Sequence, residues 1–196
     1  LAVMSHEIRT PLNAVIGITH LLLQESPRAD QAENLKVLRF SAETLLVLVN
    51  DILDYSKIEA GRVELEETEL SLREIIEGIR LSLSALAEEK GIALQARVAA
   101  DVPERLLGDP VRIGQVLMNL VSNAVKFTPM GRVTVDVCVR GEREGRVTLG
   151  VCIADTGVGI DRDHLTRIFD PFTQAQSSTT RRFGGTGLGL AITERL

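Results

Sequence analysis

Apolar residues in the first part of the chain lie on a seam that alternates steps of three and four. From Leu1, apolar or small residues stand at 1, 5, 8, 12, 15, 19 and 22, and from Leu35 they stand at 35, 38, 42, 45, 49, 52 and 56. A strand needs a period of two, so both stretches read as helices of heptad type. Val3, Ile16, Leu23, Leu46 and Leu53 flank the seams and widen the stripe beyond one two-stranded contact. Glu25 to Asp30 joins the helices, with Ser26 before Pro27 placed to cap the second. A lone antiparallel hairpin leaves part of such a stripe in water. Two hairpins from two copies bury it in a four-helix bundle, so a homodimer is expected.

Past Gly61, which ends the second helix, the pattern changes. Val63-Glu64-Leu65-Glu66 reads as a short strand or linker. Ser71-Leu72-Arg73-Glu74 is a capping box that opens a helix to about Lys90, ended by Gly91. Ile92 to Val98 alternates as a strand, and Asp109-Pro110 caps and starts a helix through about Phe127. Val133 to Val137 and Val147 to Ile153 read as two further strands, paired as a hairpin with Gly141 in the turn. The expected division is a helical unit over 1–63, a linker or first strand over 64–71, and a mixed α/β unit over 72–196. The chain opens and closes inside helical pattern, so it reads as a piece of a longer protein, with the second unit incomplete at its C-terminal end.

Aromatics are 3% of the sequence, with no Trp and Tyr55 as the single Tyr, so the cores must be aliphatic. A formal charge of -5 argues against a chain built to grip a nucleic-acid backbone. Cys138 and Cys152 sit in alternating apolar runs and read as buried free thiols. Cysteines with no CxxC spacing and histidines scattered at 6, 20 and 164 do not suggest a metal cluster. This usage fits a reducing compartment. No stretch is long and apolar enough to span a membrane. A cytoplasmic location is expected, with any membrane segment outside this stretch.

His6 lies one residue past seam position 5, so it flanks the core instead of filling it. A solvent-reachable imidazole, largely neutral near pH 7, is a competent nucleophile for a phosphoryl group. Glu7 can orient the ring or take its proton, and Thr10 lies one turn on along the same face. Taken alone, such a histidine is usually just a surface residue.

Four segments of the second unit suit a nucleotide. Asn119, Asn123 and Lys126 share one helical face, where amide oxygens can ligate Mg²⁺ and a lysine can neutralise phosphate; a solvated polar face is the plainer alternative. Asp155-Thr156-Gly157-Val158-Gly159 follows an apolar strand. Its carboxylate can accept from an exocyclic amine, and its glycines let backbone approach a planar base, or the run is an ordinary turn. Phe169-Asp170-Pro171-Phe172 can prop a loop or plug the core. Gly184-Gly185-Thr186-Gly187-Leu188-Gly189 runs into a helix and offers bare backbone for phosphate. Between the last two lies Thr173 to Phe183, with Arg181 and Arg182, a stretch long enough for a lid.

Ser5-His6-Glu7-Ile8-Arg9-Thr10-Pro11-Leu12-Asn13 resembles the phosphoacceptor box of sensor histidine kinases, in the style of the hybrid type. Leu53 to Gly61 resembles the end of that family's second dimerisation helix. The four later segments resemble, in order, the N, G1, F and G2 boxes of the histidine-kinase ATP-binding domain. The resemblance implies an all-α antiparallel hairpin, a four-helix bundle on dimerisation, followed by an α/β sandwich of the gyrase, Hsp90, histidine kinase and MutL type. It implies His6 as phosphoacceptor, Glu7 as general base and Thr10 as an aid to water in dephosphorylation. It further implies Mg²⁺ on Asn119, ATP phosphates near Asn123, Lys126, Thr186, Gly187 and Gly189, and the adenine amine on Asp155. Gly157 and Gly159 would line the base pocket, while Phe169 and Phe172 anchor the lid. The implied partner is a response-regulator receiver domain. A non-catalytic relative would show damage at His6, Asn119 or the glycines, and all are intact.

Overall fold

The computed structural model describes residues 2–173 and 186–196. Two long helices, α1 (Ala2–Gln24) and α2 (Ala29–Glu59), form the antiparallel hairpin that the seams require. Their mutual contact half-buries Leu12, Val15, Ile16, Leu23, Leu35, Leu46, Val49 and Leu53, and it buries Ala42. Thr19 is buried at a seam position because its hydroxyl donates to the carbonyls of Val15 (2.8 Å) and Ile16 (2.9 Å) of its own helix. The hairpin covers only one edge of the stripe. Ile8, Ile18, Leu21, Leu22, Val37, Leu38, Leu45, Val47 and Ile52 stay exposed.

Ser26 does not cap α2. It lies before Pro27 with φ 54, and Arg28 is the N-cap, its N–H donating to Oε1 of Gln31 at 3.2 Å. The glutamine thus reaches back to the N-cap N–H, and the N-cap itself makes no side-chain cap bond to the first turn. Gly61, at φ 62, closes the helix as expected, its N–H donating to the carbonyl of Ile58 at 2.9 Å.

In the second unit Val63 to Glu66 forms no strand. The strand is β1 (Thr68–Leu70), paired antiparallel with β3 (Leu106–Gly108). Between them run α3 (Leu72–Glu89) and β2 (Ile92–Val98), and α4 (Pro110–Phe127) follows. Asp109 holds this junction with one carboxylate. Its Oδ1 accepts from the N–H groups of Val111 (3.0 Å) and Arg112 (2.9 Å), while Oδ2 accepts from Glu66 N–H at 3.2 Å. Backbone donors therefore hold its pKa below the ordinary value.

A three-stranded sheet of order β2-β4-β5 contains β4 (Gly131–Arg143) and β5 (Arg146–Asp155), with β2 parallel and β5 antiparallel to β4. Helices α3 and α4 lie on one face. Leu72, Ile76 and Ile79 of α3 meet Leu117 and Val121 of α4 over Val135 and Val137, and the whole core is aliphatic. Among the described residues two short helices follow, α5 (Arg162–Leu165) and α6 (Gly189–Arg195).

The β4–β5 turn is not at Gly141. That residue sits inside β4 at a register shift after Val139, and the turn is Glu144-Gly145, with φ 54 and 74. Two positive φ values make the tight hairpin turn, and the glutamate in one of them hides the signal. The thiols are also not buried. Cys138 pairs with Gly150 and Cys152 with Asp136, which puts both on the sheet face away from the helices, Cys138 half-buried and Cys152 exposed. Among the described residues no helix is long and apolar enough to cross a membrane.

Candidate functional site

His6 is exposed on α1, with Glu7 exposed beside it. The helix continues unbroken through Pro11. Thr10 donates its hydroxyl to the carbonyl of His6 at 3.0 Å, a bond back onto its own helix. Three residues after His6, Arg9 donates to Oδ1 of Asn50 on α2 at 3.0 Å. Because the helices are antiparallel, this bond sets His6 level with the residues just after Asn50.

Those α2 residues receive the second unit. Asp51 Oδ2 accepts from the Thr186 hydroxyl at 2.7 Å. Asp54 Oδ2 accepts from Gln115 at 2.8 Å and lies 3.2 Å from the Arg112 guanidinium. The guanidinium of Arg195 stands over the Tyr55 ring, 4.9 Å from its centroid. Helix α2 thus meets the start of α4 and the glycine segment before α6.

Asn119 sits where α4 meets α6. Its amide donates to the Thr193 hydroxyl at 2.8 Å, and Asn123 approaches its oxygen at 3.4 Å. Gly189 leaves room for the Asn119 amide, because an added Cβ would lie 2.3 Å from its oxygen. Lys126 follows on the same face, its ammonium 5.0 Å from the Phe127 ring centroid. Burial, with the Lys90 ammonium nearby, lowers its pKa from the ordinary value, so an arriving anion would restore lost charge stabilisation.

The turn after β5 is tied to the end of α4. Val158 N–H donates to the Phe127 carbonyl at 3.3 Å, and Asp155 Oδ1 accepts from Gly157 N–H at 2.8 Å. An added Cβ on Gly157 would meet that carbonyl at 2.4 Å. Gly159, at φ 70, stands in open space. Phe169 and Phe172 are both exposed, so neither plugs the core. Phe172 has φ 61, rare for a bulky residue, and its N–H donates to the Gly187 carbonyl at 3.0 Å. The expected lid, Arg181 and Arg182 included, lies outside the described residues except for Thr173, as do Gly184 and Gly185.

Asn119, Asn123, Lys126, Gly157, Thr186, Gly187 and Gly189 are therefore joined through α4 and α6, with Asp155 at one end. The anchoring partners Asp51, Asp54, Tyr55, Arg112, Gln115, Thr193 and Arg195 were not legible as such. Asp51 and Asp54 share a helical face beside the seam, which signals a contact but not its partner.

Residues 1–61 match the His Kinase A (phospho-acceptor) domain, and residues 108–196 match the histidine kinase-, DNA gyrase B- and HSP90-like ATPase family. The chain belongs to the histidine kinases. It is 43% identical over its whole length to the signal transduction histidine-protein kinase BarA of Escherichia coli (strain K12), and 41% to the autoinducer 2 sensor kinase/phosphatase LuxQ of Vibrio cholerae. It spans about a fifth of those relatives, 21% and 23% of their lengths. The crystal structure of full-length ShkA in complex with AMPPNP is 38% identical, with a TM-score of 0.76, covering 99% of this chain and 39% of that one. The Acinetobacter baumannii histidine kinase AdeS shares the fold at 22% identity and a TM-score of 0.63, over 97% of this chain and 84% of that one.

Proposed function

We propose that this kinase takes the γ-phosphoryl group of ATP onto its own His6 and passes it to an aspartate of a response-regulator receiver domain. The observation that carries this reading is the exposed imidazole of His6, level with the part of α2 that receives the nucleotide unit. An imidazole nitrogen of His6 attacks the γ-phosphorus as the bond to the bridging oxygen breaks, ADP leaves, and Glu7 takes the ring proton. Little else is needed beyond positioning and charge stabilisation. Asp155 holds the adenine amine while Gly157 and Gly159 face the base. Asn123, Lys126, Thr186, Gly187 and Gly189 hold the phosphates. Phe169 and Phe172 flank the segment that closes over them, and Thr10 orients water when the regulator is dephosphorylated.

Asn119 offers a single amide oxygen, and no cluster of three acidic, His or Cys ligands exists among the described residues. That donor set fits Mg²⁺, which keeps its waters and takes one or two protein oxygens beside substrate phosphates. When bound, the ion neutralises charge on the phosphates. The exposed stripe of the hairpin supports a homodimer, and light scattering is expected to give twice the 21.4 kDa chain mass. The kinase acts in the cytoplasm, and membrane contact comes only through segments outside this stretch.

The test is γ-labelled ATP with Mg²⁺. Label should reach the protein, survive alkali and be lost in acid, as a phosphorus–nitrogen bond requires. ATP binding without label, or label that survives acid, would sink the reading. Asp155→Asn removes the charged acceptor and should weaken ATP binding by roughly 1.5–3 kcal/mol, read by calorimetry. Unchanged affinity would mean that the base sits elsewhere.

A further inference from the structure

We propose that Asp51 is a latch that competes with the triphosphate for the Thr186 hydroxyl, so that docking of the nucleotide unit on α2 and binding of ATP oppose each other. The inference rests on the reading of Thr186 as a phosphate contact. A hydroxyl has one proton to give. In this structure Thr186 gives it to Asp51 Oδ2 at 2.7 Å, while its oxygen accepts from Leu188 N–H at 3.2 Å. The hydroxyl proton is thereby directed at α2. A phosphate oxygen can take the proton only if Asp51 gives it up. The carboxylate and the phosphate also repel each other across so short a span.

The latch is built to release. Burial is the largest influence on Asp51 and pushes its carboxyl pKa up, Asp54 adds to this, and the Thr186 bond opposes it. A carboxylate so desolvated regains hydration when the contact opens, so the contact is worth less than its short distance suggests. Asp54 grips Gln115 and Arg112 at the start of α4, away from the glycine segment. One helix face therefore has an anchor and a switch, three residues apart. By linkage, if the docked state weakens ATP, ATP must weaken docking by the same factor.

Asp51→Asn removes the charge and leaves an oxygen that can still accept, while Asp51→Ala removes both. ATP affinity should rise in the first and more in the second, by roughly 5-fold or more. Adenosine, which has no phosphate, should bind wild type and both variants alike. A second readout needs no variant. Tyr55 is the only tyrosine and lies under Arg195 at the docking surface, so selectively labelled tyrosine gives one ring signal in magnetic resonance. ATP should shift that signal toward its undocked position and adenosine should not. Unchanged or weaker ATP binding in the two variants, or a Tyr55 signal that moves equally with adenosine, would overturn the latch while leaving the kinase reading intact. Failure of both ligands to bind wild type and variants would overturn the nucleotide site itself, and the latch with it.

Discussion

His6→Gln is expected to accept no label from γ-labelled ATP while binding the nucleotide as the wild type does. The glutamine keeps a polar side chain at an exposed helical position, so α1 has no structural reason to change. What it lacks is a ring nitrogen able to attack phosphorus. His20 and His164 should not substitute. His20 has an Nε2 that meets Gln24 at 3.1 Å and has no acid beside it in sequence, and His164 belongs to α5 of the nucleotide unit. Heterodimers of His6→Gln with Asn119→Ala extend the experiment. Each chain keeps one good half, so recovered label would show transfer between subunits, and its absence would point to transfer within a chain. Label that persists on His6→Gln homodimers would refute the acceptor.

Gly189→Ala should cost catalysis far more than it costs the fold. The new methyl group would sit 2.3 Å from Oδ1 and 2.9 Å from Cγ of Asn119. Both atoms belong to the end of a side chain that can swing away, and Gly189, the first residue of α6, has no positive φ that an alanine would strain. The melting temperature should therefore hardly move. Asn119, however, leaves its place and its 2.8 Å bond to Thr193. Displacing a group that holds or orients a metal typically costs roughly 10–100-fold, and labelling should fall by that order. Full labelling in a stable Gly189→Ala protein would mean that Asn119 is not the residue that matters. Gly157 contrasts with it, since there the obstacle is the Phe127 carbonyl of the backbone, which has nowhere to swing.

Elements with a local cause were legible in the sequence. The heptad seams gave the hairpin, Ser71 and Asp109 gave the starts of α3 and α4, and alternation gave β2 residue for residue. Features set by distant partners were not. The β1–β3 pair joins strands of three residues each, too short for any period to show. The thiols alternate with apolar residues, but which face is wet depends on where α3 and α4 pack. In the site, residue types and spacing marked the segments that carry chemistry, since amides, glycines and acids in those patterns are local facts. The partner of Asp51 was not legible, because it lies 135 residues away across a boundary between units.

Helix α4 touches the hairpin, α6 and the turn after β5. Near its start Arg112 and Gln115 hold Asp54 of the acceptor hairpin, at its middle Asn119 meets α6, and at its end the Phe127 carbonyl holds the turn beside Asp155. Its 18 residues make a rod about 27 Å long. After Gly114 it contains no glycine or proline, so nothing in it can flex as a joint. Such a rod behaves as a lever. A small tilt imposed where it rests on the hairpin must reappear, larger, at the far tip beside Asp155, and must carry the Asn119 amide along in proportion. Strain arriving through α2 would thus move Asn119 and the turn at Asp155 in one stroke, in a fixed ratio set by position along the rod.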